Sequence, residues 1–326
     1  MPIVLGIDGG GTKTVGVLAR SNGDVLASGE VGATNPNSVG MKKVKQQLSA
    51  LLQQLKKVDD IAYSEIKHVF AGISGAAHDK TRKELTNMME ELTNHKVPIT
   101  VHHDAVIALY SGTLGEEGIV QIAGTGAITF GLTNAGEEMR VGGWGHLFSD
   151  HGSGYMIGRD ALEKVFLAYD GFPIKTILTE KVLTHLQVQD VPDIVRAVFH
   201  SDGSKTLVAS LSKVVMEAFR EGDELAKEII QRNARHIGAS IRVLLKRLFV
   251  TEENPRNTKV VLVGGLFHEL DVLQKYIYEG LAEQKENVQL KWPVTSAVGG
   301  SVVAAFKHAQ IELGEHFVET FNKNII

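Results

Sequence analysis

Asp8-Gly9-Gly10-Gly11-Thr12-Lys13 lies between two apolar runs, and its residue types suit an anionic ligand. Glycines let backbone N–H groups come close to phosphate oxygens. Thr12 adds a hydroxyl donor, and Gly10, Gly11, Thr12 and Lys13 form the candidate phosphate site. Asp8, at the end of the first run, could hold a Mg²⁺ ion or its waters. The stretch is not a Walker loop, because G-x-x-x-x-G-K-[ST] is not matched. It is not a Rossmann fingerprint either, since a strand rather than a helix follows the glycines. A glycine hairpin that binds nothing is the alternative.

Ala123-Gly124-Thr125-Gly126-Ala127 repeats the pattern further along. One such hairpin is weak evidence, but two at matching places in similar units could grip a polyphosphate from both sides. Val263-Gly264-Gly265-Leu266-Phe267 puts paired glycines after a buried run, where the backbone could approach an adenine and ribose. A tight strand-to-helix turn explains the same residues. Asp104 ends the strand ITVHHD, where a carboxylate could accept a proton from a hydroxyl. Asp is also a favoured helix N-cap. His102 and His103 are adjacent on that strand and so point to opposite faces, which disfavours a metal pair. Gly142-Gly143-Trp144-Gly145-His146, followed by Ser149-Asp150-His151-Gly152-Ser153-Gly154-Tyr155, is dense in glycine and holds one of two Trp residues. Its open amides, an indole face and the Asp150 carboxylate would suit a sugar, and a structural turn is the alternative.

The elements that must position these residues are legible from periodicity. IVLGID, TVGVLAR and VLASGEV read as strands joined by the GGGTK turn and an SNGD hairpin. Leu48, Leu51, Leu52 and Leu55 fall at helical spacing between about 40 and 57. IKHVFAGIS and ITVHHD read as strands, with a helix over 79–94 between them and AVIALYSG as a helix after. GIVQIAG, AITFGLT and EMRVGG then repeat the opening layout, which implies two domains on one plan. Residues 155–248 read almost entirely as helix, KVVLVGGLF as a buried strand, and TSAVGGSVVAAFKHAQIELG as a turn leading into a helix.

Composition excludes several classes. At roughly 150 residues per domain, 326 residues suggest about two domains. Apolar residues make up 43% and charged residues 22%, the balance of a globular protein. A net charge of −4 without a dense basic run argues against nucleic acid or an anionic membrane as partner. With no cysteine, thiolate catalysis, Cys-ligated zinc and iron–sulfur clusters are excluded. The N-terminus lacks a basic signal-peptide start, and no run approaches the ~20 apolar residues of a membrane span. A cytoplasmic protein is expected.

Asp-Gly-Gly-Gly-Thr-Lys, Gly-Thr-Gly, Gly-Gly-Trp-Gly-His and Asp-x-Gly-Ser-Gly-Tyr occur here in the order seen in a known family. In this the chain resembles the N-acetylglucosamine kinases of the sugar kinase/Hsp70/actin ATPase superfamily, a BadF/BadG-type ATPase-like group. The first and third motifs are specific to the family, Gly-Thr-Gly alone is not, and the resemblance runs from Ile3 to about residue 310. It implies an α/β fold of two ribonuclease-H-like (actin-like ATPase) domains around a central cleft. Residues 1–114 with a C-terminal helix at about 307–326 would form one domain and residues 115–306 the other. ATP and Mg²⁺ are the implied cofactors, an amino sugar the partner, and a homodimer is consistent with the family.

Thr12 and Thr125 match threonines that contact ATP phosphates, Asp104 the catalytic base, and Asn35 a sugar-binding asparagine. Gly143, Trp144, Gly145 and Asp150 match sugar-pocket positions, and Ala209 a nucleotide contact. The implied reaction is phosphorylation of N-acetylglucosamine or N-acetylmuramic acid at O6, with glucosamine as an alternative acceptor. The family usually carries Asp-Glu-Gly-Ser where this chain has Asp150-His151-Gly152-Ser153, which leaves the pocket's charge and the exact sugar open. A sugar-responsive regulator without catalysis shares the fold, but such repressors carry an added helix-turn-helix, and here the ATPase strand begins at residue 3. The lack of cysteine also removes an iron–sulfur activator of acyl-CoA dehydratases or reductases and a hexose kinase with a Cys-rich zinc loop.

Overall fold

The computed structural model describes residues 1–148, 150–201, 203–249 and 257–325, so Ser149 of the glycine-rich motif lies outside the described residues. The chain divides into two units, Met1–Glu117 with Lys291–Ile326, and Gly118–Leu290.

In the first unit, β1 (Ile3–Gly9), β2 (Lys13–Arg20) and β3 (Val25–Gly32) form an antiparallel meander. β4 (Ile66–Ile73) runs parallel to β1, and β5 (Ile99–His103) parallel to β4, giving the order β3-β2-β1-β4-β5. β1 and β4 are buried almost throughout, which is why they read as unbroken apolar runs. The helix Met41–Val58 buries Val44, Leu48, Leu51, Leu52 and Leu55 in the core shared with Ile3, Leu5, Ile7 and Val69.

The helix Asp104–Thr113 follows β5 directly and is buried on nearly every face. The helix Ala297–His308 packs on it so closely that a Cβ on Gly300 would lie 2.0 Å from the Ile107 carbonyl oxygen. Only a glycine tolerates that approach. This contact draws the chain back into the first unit by Lys291, earlier than the expected return near residue 307. The C-terminal helix is Phe317–Asn324, and it buries Phe317 and Phe321.

The second unit repeats the plan. β6 (Gly118–Ala123), β7 (Ala127–Leu132) and β8 (Glu138–Gly142) form an antiparallel meander. β9 (Thr258–Val263) runs parallel to β6, and β10 (Val288–Lys291) completes the order β10-β9-β6-β7-β8. Between β8 and β9 the chain forms the helices Gly154–Tyr169, Leu178–Leu186, Val191–Phe199, Ser204–Arg220 and Glu224–Leu244. Ile157, Ala161, Leu211, Val215, Ile230 and Ile237 are buried in a core that includes Ile119 and Leu262 of the sheet. β10 has only four residues, and the helix Leu270–Leu281 precedes it, burying Leu273, Tyr276, Ile277 and Leu281 at helical spacing. Among the described residues, no helix is long and apolar enough to cross a membrane.

Candidate active site

In the first unit, Gly9 and Thr14 form the last pair of the β1–β2 ladder, and Gly10 N–H donates to the Lys13 carbonyl at 3.0 Å to close the hairpin. Gly11, Thr12 and Lys13 stand exposed at its tip. A Cβ on Gly11 would meet nothing within 4 Å, so the tip is open to a ligand. Lys13 is not free at the tip, because its Nζ lies 2.8 Å from Glu30 across the sheet. Thr34 N–H donates to the Gly10 carbonyl at 3.1 Å and Ser74 N–H to the Gly9 carbonyl at 2.8 Å, while the buried Thr14 and Thr34 hydroxyls bond each other at 2.8 Å. These bonds tie the hairpin to the loop carrying Asn35. The Asn35 Oδ1 accepts from Asn37 N–H at 2.9 Å, and its Nδ2 donates to Ser74 Oγ at 3.4 Å. Asn35 is thus the cap of the short helix Pro36–Val39.

Asp8 stands near the end of β1 and Asp104 just past the end of β5, with β4 between the two strands. Burial pushes the Asp8 carboxyl up to about 6, the Asp104 carboxylate adds to the rise, and Lys13 opposes it. The helix beginning at Asp104 is capped by His103, whose Nδ1 accepts from Ala105 N–H at 3.1 Å. Asp104 is therefore in the first turn and not the cap. Its Oδ1 lies 3.1 Å from His103 Nδ1, and its side chain keeps a third of its surface exposed, at 33%.

The second unit holds the other hairpin. Gly124 N–H donates to the Gly126 carbonyl at 2.9 Å, with Thr125 exposed between them. The Gly124 carbonyl accepts from Gly154 N–H at 2.8 Å, and the Thr125 carbonyl from Tyr155 N–H at 3.3 Å. The hairpin is thereby fixed to the start of the helix Gly154–Tyr169, capped by the buried Ser153. Gly124, Thr125, Ala209 and Gly265 line one cavity of about 630 Å³, together with Thr206 and Lys213. That volume lies within the range of small-molecule sites. Gly264 does not line it. Its φ is +114°, and a Cβ there would lie 2.3 Å from the Ala123 carbonyl oxygen, so Gly264 fits the exit of β9 against the end of β6.

The turn after β8 needs left-handed backbone at Gly143 (φ +68°) and Gly145 (φ +95°). Trp144 between them is 59% exposed, and the Arg140 guanidinium carbon stands 3.8 Å from its ring centroid. The cation–π contact holds the ring, and the indole stays largely exposed. Asp150 is buried, with its Oδ2 3.7 Å from Lys205 Nζ. His151 turns instead to the helix Glu224–Leu244, where it stacks on His236 at 4.5 Å between centroids. Burial, then His151 and Arg232, lower the His236 pKa. Gly152 N–H donates to Asn233 Oδ1 at 3.2 Å, and Asn233 Nδ2 donates to the buried Asp160 at 3.0 Å. Asp160 also meets Arg159 and Arg232. Sequence reading missed Lys205 and Asn233, which stand in no motif, and Asp160, which lies beyond the motif that opens its helix; Ser153, before a Gly-Tyr helix start, did carry a cap signal.

A model of the BadF/BadG/BcrA/BcrD ATPase family matches residues 5–306, and the chain belongs to that family. It is 32% identical over 309 residues to the N-acetylmuramic acid/N-acetylglucosamine kinase of Clostridium acetobutylicum, covering 94% of this chain and 96% of that one. It is 32% identical over 297 residues to the N-acetyl-D-glucosamine kinase of Dictyostelium discoideum, covering 88% and 92%. A solved structure of a candidate N-acetylglucosamine kinase from Chromobacterium violaceum superposes with a TM-score of 0.66 at 23% identity, covering 93% of this chain and 98% of that one. The two five-stranded sheets thus belong to the two-domain sugar-kinase and actin-like ATPase fold.

Proposed function

We propose that this chain is an ATP-dependent kinase that phosphorylates an N-acetylated amino sugar, N-acetylglucosamine or N-acetylmuramic acid, at O6. Asp104 carries the reading. It stands in the first turn of a buried helix, relieved of capping by His103, in the unit that holds the first glycine hairpin. Phosphoryl transfer needs an oriented nucleophile and stabilised charge more than covalent help from the protein. The sugar oxygen bonds to the γ-phosphorus, the bridging oxygen leaves with ADP, and the hydroxyl proton passes to Asp104.

Gly10, Gly11 and Thr12 hold phosphates from the first unit, Lys13 joins them by giving up its exposed pair with Glu30, and Gly124, Thr125 and Gly126 hold phosphates from the second. Ala209 and Gly265 receive the nucleoside in the cavity beside the second hairpin, with Gly264 setting that wall in place. Asn35, Gly143, Trp144, Gly145 and Asp150 bind the sugar. Asp8 fits a divalent cation, because its burial and the Asp104 charge disfavour a bare carboxylate there. Asp8 would hold a Mg²⁺ ion, directly or through water, and the ion would supply charge that offsets the triphosphate. We place the reaction in the cytoplasm, where ATP is supplied. The relatives' names support the amino-sugar acceptor.

The test is a coupled ADP-release assay against N-acetylglucosamine, N-acetylmuramic acid, glucosamine and glucose. N-acetylglucosamine is expected to exceed glucose in kcat/KM by about 10²-fold or more, since glucose leaves the acetamide partners unpaired. Equal use of glucose removes the acyl-binding role of the Trp144 turn. Glucosamine as the best acceptor makes this a glucosamine kinase, and no ADP release with any sugar favours a non-catalytic sugar-responsive regulator.

A further inference from the structure

Lys205 is the second residue of the helix Ser204–Arg220, and its neighbour Thr206 lines the cavity beside the second hairpin. Its Nζ lies 3.7 Å from Asp150 Oδ2, too far for a hydrogen bond, so charge alone joins the pair. A Cβ placed on Gly126 would lie 3.1 Å from Asp150 Oδ2 and 3.6 Å from Lys205 Nζ. The carboxylate and the ammonium therefore converge on the side of the hairpin that a glycine leaves open. The two partners differ in freedom: the Asp150 side chain is 3% exposed, whereas that of Lys205 is 40% exposed on a flexible four-carbon stem.

We infer that Lys205 is a shared cation that pairs with Asp150 before nucleotide binds and turns to the γ-phosphate when ATP lies on the Gly124–Gly126 hairpin, releasing Asp150 to a sugar hydroxyl. The inference rests on the kinase reading above. A buried carboxylate needs a counter-charge or donors. A triphosphate offers the lysine more negative charge than one carboxylate does. The γ-phosphate is the end that must meet the sugar, so a cation beside a sugar-binding carboxylate meets that end first. Asp150, losing its lysine, takes hydroxyl donors in its place. Nucleotide and sugar then bind with positive coupling through a single side chain. No proton or covalent bond changes hands.

Calorimetry on the full chain with Mg²⁺ tests this, using ADP, a non-hydrolysable ATP analogue and N-acetylglucosamine with wild type, K205M and K205R. K205M is expected to weaken the ATP analogue about tenfold and ADP by less than about threefold, the scale of one charged hydrogen bond. It should also bind N-acetylglucosamine without any gain from the ATP analogue, while wild type gains about fivefold or more. K205R, which keeps the charge, should restore both. If K205M weakens ADP and the analogue equally, or leaves the coupling unchanged, the inference is overturned. If wild type binds neither nucleotide nor sugar, the kinase reading fails and takes this inference with it.

Discussion

The two sheets share one strand order, an antiparallel meander whose first member pairs with a parallel strand and then a further one, yet their strand ends are furnished differently. Asp8 pairs with Val15 one step before the last pair of the first hairpin; Ile122, paired with Ile128, holds the same point in the second. β5 is followed by Asp104, whereas β10 is followed by Trp292. The first unit thus has carboxylates where the second has apolar side chains. In exchange, the second unit ties its hairpin to a capped helix start and opens a cavity beside it. A duplicated sheet fixes where ligand groups can stand, and the side chains at its strand ends differ; in the proposed function that difference assigns proton transfer to one copy and the nucleoside to the other.

The sharpest way to break that division is at the two strand ends. Asp104→Asn is expected to lower kcat by about 10²-fold or more, the usual scale for a positioned acid–base group. Because His103 supplies the cap, the thermal midpoint should hardly move. Trp292→Phe at the corresponding point should change kcat by less than about threefold. Near wild-type turnover in Asp104→Asn would leave the first unit without its chemistry.

The next effects are on stability. Gly264→Ala would force a Cβ to within 2.3 Å of the Ala123 carbonyl at a left-handed φ. A loss of roughly 2–4 kcal/mol is expected in denaturant unfolding, from clash and backbone strain together. In the first unit the matching sensitivity is to pH. His68 is buried against Thr100 and His308, and burial, then the nearby His308, lower its pKa to about 4. Near pH 6 the unfolded chain binds a proton that the folded chain does not, so stability is full above about pH 6.5 and falls as pH drops toward 4. The full contribution is roughly 2–3 kcal/mol, and His68→Asn should flatten that slope in urea midpoints taken between about pH 7 and pH 5. A slope kept in the variant would assign it to other groups.

The smallest effects compare the two tips. A Cβ on Gly11 or Gly124 would meet nothing within 4 Å, so neither alanine variant should lose measurable stability. Each should weaken ADP or ATP-analogue binding by about tenfold, because the methyl takes the space a phosphate oxygen would use. Unchanged affinity in one variant would confine phosphate binding to the other hairpin.

Much of this was written in local pattern. Strands buried on both faces are long apolar runs, hairpin turns require glycine, and the Leu48–Leu55 stripe has helical period, so both meanders and the helix Met41–Val58 are legible residue by residue. The candidate site residues were legible where glycine and carboxylate types cluster. Sequence could not decide whether Asp104 caps its helix or stands free, because that depends on where the His103 ring settles. It could not separate Gly264, pressed on Ala123, from Gly265, open to the cavity, because only the approach of β6 distinguishes them. Nor could it bring Lys205 to Asp150 or stack His151 on His236, since those pairs join one turn to helices far along the chain. Periodicity and turn chemistry are properties of neighbours along the sequence; which charge meets which is decided by packing among segments that the sequence separates.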